Sequence, residues 1–175
     1  MAAFLRPSDL HRIQLQQSRV DEEDRLHLSI YAPKETRGGR RIIKTLIVHP
    51  LPSDPSLCPV KAYVALRDHP DARLRPPDSL LVNSVDVAAG VQVATISGWL
   101  RRLLAKSLTD ATSSAPSVRS VASDLALLRG AALEDVLTMG NWSSSTVFDT
   151  HYRRTRQLAG NISARVLQAG DELQD

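Results

Sequence analysis

The chain has 175 residues, 42% of them hydrophobic and 23% charged, which supplies enough apolar material for a core and argues for one domain. Its 22 Lys and Arg against 19 Asp and Glu leave a formal charge of +3, compatible with a polyanionic partner without demanding one. The single cysteine, Cys58, excludes an intramolecular disulfide framework and a cysteine-rich zinc site, and neither a signal peptide nor the roughly 20 apolar residues of a membrane helix can be found, so an intracellular, soluble protein is expected.

In chain order, SDLHRIQL at 8–15 opens on two N-cap residues, Ser8 and Asp9, and predicts one short helical turn. Leu26, Leu28 and Ile30 alternate with polar neighbours, and a second β-like run covers Ile42–Val48. With Gly38 and Gly39 between them for the turn, residues 26–48 read as a β-hairpin with a basic tip. HPLPSDPSLCP predicts an ordered connection, and Pro59 the first residue of a helix that ends before Pro70. DARLRPPD reads as a loop, SLLVN as a short buried segment, and Thr95 as the cap of a helix over ISGWLRRLLAKSL. Ile96, Trp99, Leu100, Leu103 and Leu104 make the apolar face of that helix, while Arg101, Arg102 and Lys106 occupy much of the rest. TDATSSAPS reads as a linker, followed by a helical pair broken at Gly130, a short helix over SSSTVFDTHYRR, and an amphipathic stretch, NISARVLQAG. The expected fold class is α+β, mostly helical, with a small antiparallel sheet at one side.

No phosphate-binding glycine loop is present, the five histidines lack metal-ligand spacing, and no nucleophile elbow occurs. What remains is a series of basic residues and one tyrosine. Arg6 and Asp9 lie in FLRPSDL, Lys34 on the hairpin, Arg119 in PSVRS, Trp142 in GNW, and Tyr152 ten residues after that tryptophan.

In this order the residues resemble the catalytic domain of tyrosine recombinases, the phage integrase family, in the form found in eukaryotic mobile elements of the DIRS and Crypton kind. The resemblance covers residues 4 to about 156. It implies Arg6 as the first catalytic arginine with Asp9 supporting it, Lys34 as the hairpin lysine, Arg119 as the arginine of HxxR, Trp142 in the second His/Trp position, and Tyr152 as the nucleophile. Pro116 stands where the HxxR histidine belongs and can neither donate nor accept a proton. Five residues precede Arg6, so the resemblance also implies a partial catalytic domain over 1–175, without the family's separate DNA-clamping domain. It implies duplex DNA as partner, a homo-oligomer on that DNA, no metal or other cofactor, no membrane, and a nuclear location in a eukaryote.

The chemistry follows from the residue types. Attack on a phosphodiester builds negative charge on the non-bridging oxygens, and arginine forks match that geometry where lysine does not. Tyrosine, with an ordinary pKa near 10, needs such cations before it attacks at neutral pH. Lys34 could protonate the departing 5′-oxygen, and the Trp142 N–H could donate to a phosphate oxygen. Phosphate contacts are expected from Arg37, Arg40, Arg101, Arg102 and Lys106. Each assignment has a plainer rival: an Arg6–Asp9 ion pair, a solvated Lys34, a core Trp142, or a Tyr152 packed on Phe148. Two other functions therefore stand beside strand transfer, namely a degenerate fragment that binds DNA without cutting it, and a small interaction module.

Overall fold

The computed structural model describes residues 2–37, 40–107, 117–142 and 144–153, with the backbone alone along residues 32–42 and at residue 72. Two compact units divide it, Met1–Val118 and Arg119–Asp175.

In the first unit, helix α1 spans Pro7–His11. Its N-cap position is Arg6, with Pro7 as the first helical residue, rather than Ser8 or Asp9 as the sequence suggests. Proline there gives up an N–H that no carbonyl could accept, and the Asp9 carboxylate takes the Arg6 backbone N–H at 3.0 Å. Beyond α1 the chain turns alongside the sheet, where Ile13 bridges Ile30 and Gln14 N–H reaches the Ser29 carbonyl at 2.8 Å.

Three antiparallel strands, β1 (Arg19–Val20), β2 (Leu26–Arg37) and β3 (Arg40–Val48), lie in that spatial order. The expected hairpin is present, and Leu26 opposite Val48 and Leu28 opposite Leu46 fix its register. Period-two alternation sends Leu26, Leu28, Ile30, Leu46 and Val48 into a core shared with Ile13, Cys58, Val60, Tyr63 and Leu80. The short β1 escapes the sequence pattern because two residues cannot display a period. Both hairpin strands also run further into APKETRGGRR than the pattern suggests, to Arg37 and from Arg40, with a register shift between Tyr31 and Thr36. Ser29 faces away from that core and is buried all the same: its N–H goes to Ser18 Oγ at 3.1 Å and its hydroxyl donates to the Gln17 carbonyl at 3.0 Å.

The β1–β2 turn is organised by Asp21. Its carboxylate accepts the backbone N–H of Glu23 and Arg25, the Arg25 Nε–H at 2.8 Å, and a hydrogen bond from His27 Nε2 at 2.7 Å. These donors, His27 foremost, hold the Asp21 carboxyl well below the usual carboxylate range.

Helix α2, Pro59–Arg67, opens on Pro59 as expected and buries Val60 and Tyr63. It ends at Arg67, with Asp68 as its C-cap, and Asp68 and His69 separate it from Pro70, which starts a 3₁₀ turn over Pro70–Ala72. Buried Arg75 donates to the Leu66 carbonyl at 2.6 Å, satisfying one of the acceptors at the end of α2. Helix α3, Val93–Ser107, begins ahead of the expected cap: Thr95 lies inside its first turn and its N–H bonds to the Gln92 carbonyl. Ile96 is buried and Trp99, Leu100 and Leu104 partly so, but Leu103 is 62% exposed, so the apolar stripe is wider than the contact it makes. His11 Nδ1–H donates to the Val91 carbonyl at 2.8 Å and joins α1 to the segment leading into α3.

The second unit holds α4 (Val118–Leu128), α5 (Leu133–Gly140) and α6 (Ser145–His151). The break at Gly130 is observed: with φ of 89° it ends α4 in the left-handed conformation, while Ala131 N–H reaches back to the Ala126 carbonyl. Asn141, φ 53°, ends α5 in the same way, with its own N–H on the Thr138 carbonyl and Trp142 N–H on the Leu137 carbonyl. Ser144 caps α6 by accepting the Val147 N–H. The fold class is therefore α+β, mostly helical, with one small antiparallel sheet. Among the described residues no helix is long and apolar enough to cross a membrane. The linker reading over TDATSSAPS falls, apart from Ser117, outside the described residues, as do Pro116, Gly38, Gly39 and the NISARVLQAG stretch.

Candidate active site

Three of the residues singled out in the sequence, Arg119, Trp142 and Tyr152, converge within the second unit. Arg119 sits in the first turn of α4 and is 5% exposed. Its Nη2 donates to the carbonyl of Gly140, the last residue of α5. Its guanidinium carbon lies 4.2 Å from the centroid of the Trp142 ring and 5.2 Å from that of Tyr152. A desolvated cation against two aromatic faces is attracted by both quadrupoles, each worth about 1–2 kcal/mol.

The local backbone explains how Trp142 gets there. The left-handed Asn141 folds the chain back over the end of α5, and the indole comes to rest on the Cα of Gly140. A Cβ at residue 140 would stand 1.7 Å from Trp142 Cζ3, so only glycine admits the ring. From this seat Trp142 meets Phe148 edge-on at 4.8 Å and Tyr152 edge-on at 4.9 Å. Phe148 is fully buried and nearly parallel to Tyr152, four residues on, with centroids 6.4 Å apart.

Tyr152 is the C-cap of α6, one residue past the helix rather than inside it. Its N–H and that of Arg153 both reach the Phe148 carbonyl, at 2.8 and 3.1 Å. Its own carbonyl accepts the Ser120 hydroxyl at 2.8 Å. Two successive residues of α4 thus grip the C-terminal ends of two other helices, Arg119 that of α5 and Ser120 that of α6, each answering a carbonyl that helix geometry leaves without an internal donor.

Arg6, Asp9 and Lys34 belong to the first unit. Arg6 is partly exposed and Asp9 buried, tied together by the backbone bond that starts α1. Lys34 lies on β2 within the register shift between Tyr31 and Thr36, and Arg37 pairs with Arg40 across the hairpin. Arg101, Arg102 and Lys106 are exposed on α3. Two residues of the second-unit cluster escape sequence reasoning, Ser120 and Gly140. The position of Gly140 at a helix end two residues before a tryptophan is a signal that could have marked it; nothing in the sequence marks Ser120.

No protein-family model and no curated protein matches the chain. Among solved structures it is similar to XerA recombinase, with a TM-score of 0.62 and 14% sequence identity over 99% of this chain and 55% of that one. The chain therefore has a recombinase-type fold and spans about half the length of that protein.

Proposed function

We propose that the chain carries out DNA strand cleavage and rejoining as a tyrosine recombinase, with Tyr152 as nucleophile. The observation that carries this reading is the gathering of Arg119, Trp142 and Tyr152 into one cluster, in a chain whose fold is that of a recombinase. In the proposed reaction the Tyr152 phenol oxygen forms a bond to the scissile phosphorus and gives up its proton to water, the bond from phosphorus to the 5′-oxygen breaks, and that oxygen takes a proton from Lys34 and departs as a 5′-hydroxyl. The DNA is left joined to the protein through a 3′-phosphotyrosyl bond, which conserves the energy of the broken ester, and reversal by another 5′-hydroxyl rejoins the strand.

Arg119 and Arg6 are assigned to the non-bridging oxygens, whose charge grows in the transition state, and Asp9 to the support of Arg6. Lys34 is assigned to protonating the 5′-oxygen, a task that Pro116 leaves without the histidine expected beside Arg119. Trp142 carries Arg119 on its face and holds Tyr152 by its edge. Arg37, Arg40, Arg101, Arg102 and Lys106 are assigned to the DNA backbone, and a second copy of the chain to the partner site on the same DNA.

The test is a nicked suicide substrate, from which the short 5′-hydroxyl product diffuses away and traps the covalent adduct. Tyr152→Phe removes the attacking oxygen and little of the packing, so it should abolish the adduct while leaving DNA affinity within about twofold. An adduct that persists in Tyr152→Phe refutes the assignment.

Pro116 and the exposed basic residues of α3 favour a second reading, a DNA-binding protein without chemistry. It predicts no adduct with any DNA, together with binding that weakens steeply with salt and is reduced by Arg101→Ala and Arg102→Ala.

A further inference from the structure

Ser120 is a small polar residue buried in a helix that would fold equally well with alanine there, since alanine has the higher helix propensity. Its hydroxyl instead spans from α4 to the carbonyl of Tyr152 at 2.8 Å. The residue before it presses against the Tyr152 ring, so the dipeptide Arg119–Ser120 holds both the ring and the backbone of the same tyrosine.

The place of Tyr152 in its own helix makes that second hold matter. Helix α6 has seven residues, about two turns, too few to be stable alone, and Tyr152 lies beyond the last of them with φ of −123°. Its N–H shares the Phe148 carbonyl with Arg153, so the intrahelical bonding at this end is already divided. The contacts with Trp142 and Phe148 act on the phenol ring, whereas the Ser120 hydroxyl acts on the Tyr152 carbonyl. A hydrogen bond to the Tyr152 carbonyl fixes the orientation of the peptide plane that follows Tyr152, and so restrains ψ at the Cα from which the side chain departs. In-line attack is sensitive to such restraint: a misplacement near 1 Å of a reacting atom can cost on the order of a hundredfold in rate.

We infer that Ser120 is a positioning residue for strand cleavage, fixing through its hydrogen bond to the Tyr152 carbonyl the point from which the phenol attacks. The inference rests on the reading of Tyr152 as nucleophile. Ser120 touches neither the phosphate nor the phenol oxygen in this role; it acts through the backbone of the residue that does.

The experiment measures, for the full chain and its Ser120→Ala and Ser120→Thr variants, the single-turnover rate of adduct formation on the suicide substrate, the affinity for the same DNA, and hydrogen exchange at the Tyr152 and Arg153 amides. Ser120→Ala should slow adduct formation about tenfold and leave DNA affinity within about twofold. It should also speed exchange at those two amides, whose bonds to Phe148 close the end of α6, with the amides of α5 unchanged. Ser120→Thr, which keeps the hydroxyl, should restore most of the rate; a purely structural role would show instead as a loss of stability shared by every amide of the unit. If Ser120→Ala does not fold, Ser120→Cys, of similar volume and a much weaker donor, is read in its place with the same expectations. An adduct formed as fast in Ser120→Ala as in the parent, or unchanged exchange at Tyr152 and Arg153, overturns this inference alone. Absence of an adduct in the parent chain overturns the strand-transfer reading and this inference with it.

Discussion

Adding one methyl group at Gly140 should dislodge the ring on which the cluster depends. A Cβ there would lie 1.7 Å from Trp142 Cζ3, 2.1 Å from Cε3 and 2.5 Å from Cη2, where ordinary carbon contacts fall near 3.5–4 Å. The far end of a flexible chain could step aside, but this is the body of an indole held by its own backbone to α5 through the Leu137 carbonyl and flanked by Arg119, Phe148 and Tyr152. The ring must leave. It then gives up a cation–π contact of about 1 kcal/mol and two edge-on aromatic contacts of about 1 kcal/mol each. Alanine recovers about 1 kcal/mol of helix propensity, so the net cost of Gly140→Ala should be about 2 kcal/mol. Urea denaturation followed by Trp142 fluorescence measures it, in a Trp99→Phe background that leaves this one of the two tryptophans as the reporter. Gly98→Ala in α3 is the control: a Cβ there meets nothing within 4 Å, so the same chemical change should stabilise by roughly 0.5–1 kcal/mol when followed by circular dichroism. A Gly140→Ala chain as stable as its parent, with unaltered Trp142 emission, would refute the close packing of ring on helix end.

Phe148→Ala should destabilise the second unit by about 3–5 kcal/mol, because it empties a fully buried aromatic position and removes the wall behind both Trp142 and Tyr152; a loss under about 1 kcal/mol in the same urea assay would contradict the burial. The Asp21 carboxyl is held below its ordinary range by His27, Arg25 and the turn amides, so its contribution to stability is present above the ordinary carboxylate pKa near 4 and is lost as pH falls towards the folded value. Comparison of the parent with Asp21→Asn by thermal unfolding should show an advantage that narrows below about pH 4, and an advantage that instead grows on acidification would reverse the sign of the argument.

The elements that depend on local chemistry are legible in the residues themselves. Period-two alternation in Leu26, Leu28 and Ile30 determines which face of β2 is buried, Pro59 starts α2, and Gly130 ends α4, because strand pleat, a fixed proline φ and a positive φ are properties of one residue and its neighbours. The basic residues and the tyrosine stand in an order that needs no structure to see. Caps are less legible: Ser8, Asp9 and Thr95 are all good cap residues, yet α1 starts at Pro7, with Asp9 serving from its third position, and α3 starts at Val93, because several adjacent residues can each open a helix and a local pattern does not choose among them. Leu103 has the spacing of a core residue and remains exposed, because spacing says which residues share a face and not how far the covering surface extends. Tertiary structure alone decides that Ser120 reaches the carbonyl of Tyr152, 32 residues away, and that the Gly140 carbonyl is the acceptor for Arg119. Both contacts join the ends of helices far apart in sequence, and a backbone carbonyl carries no side-chain identity by which a sequence could announce it.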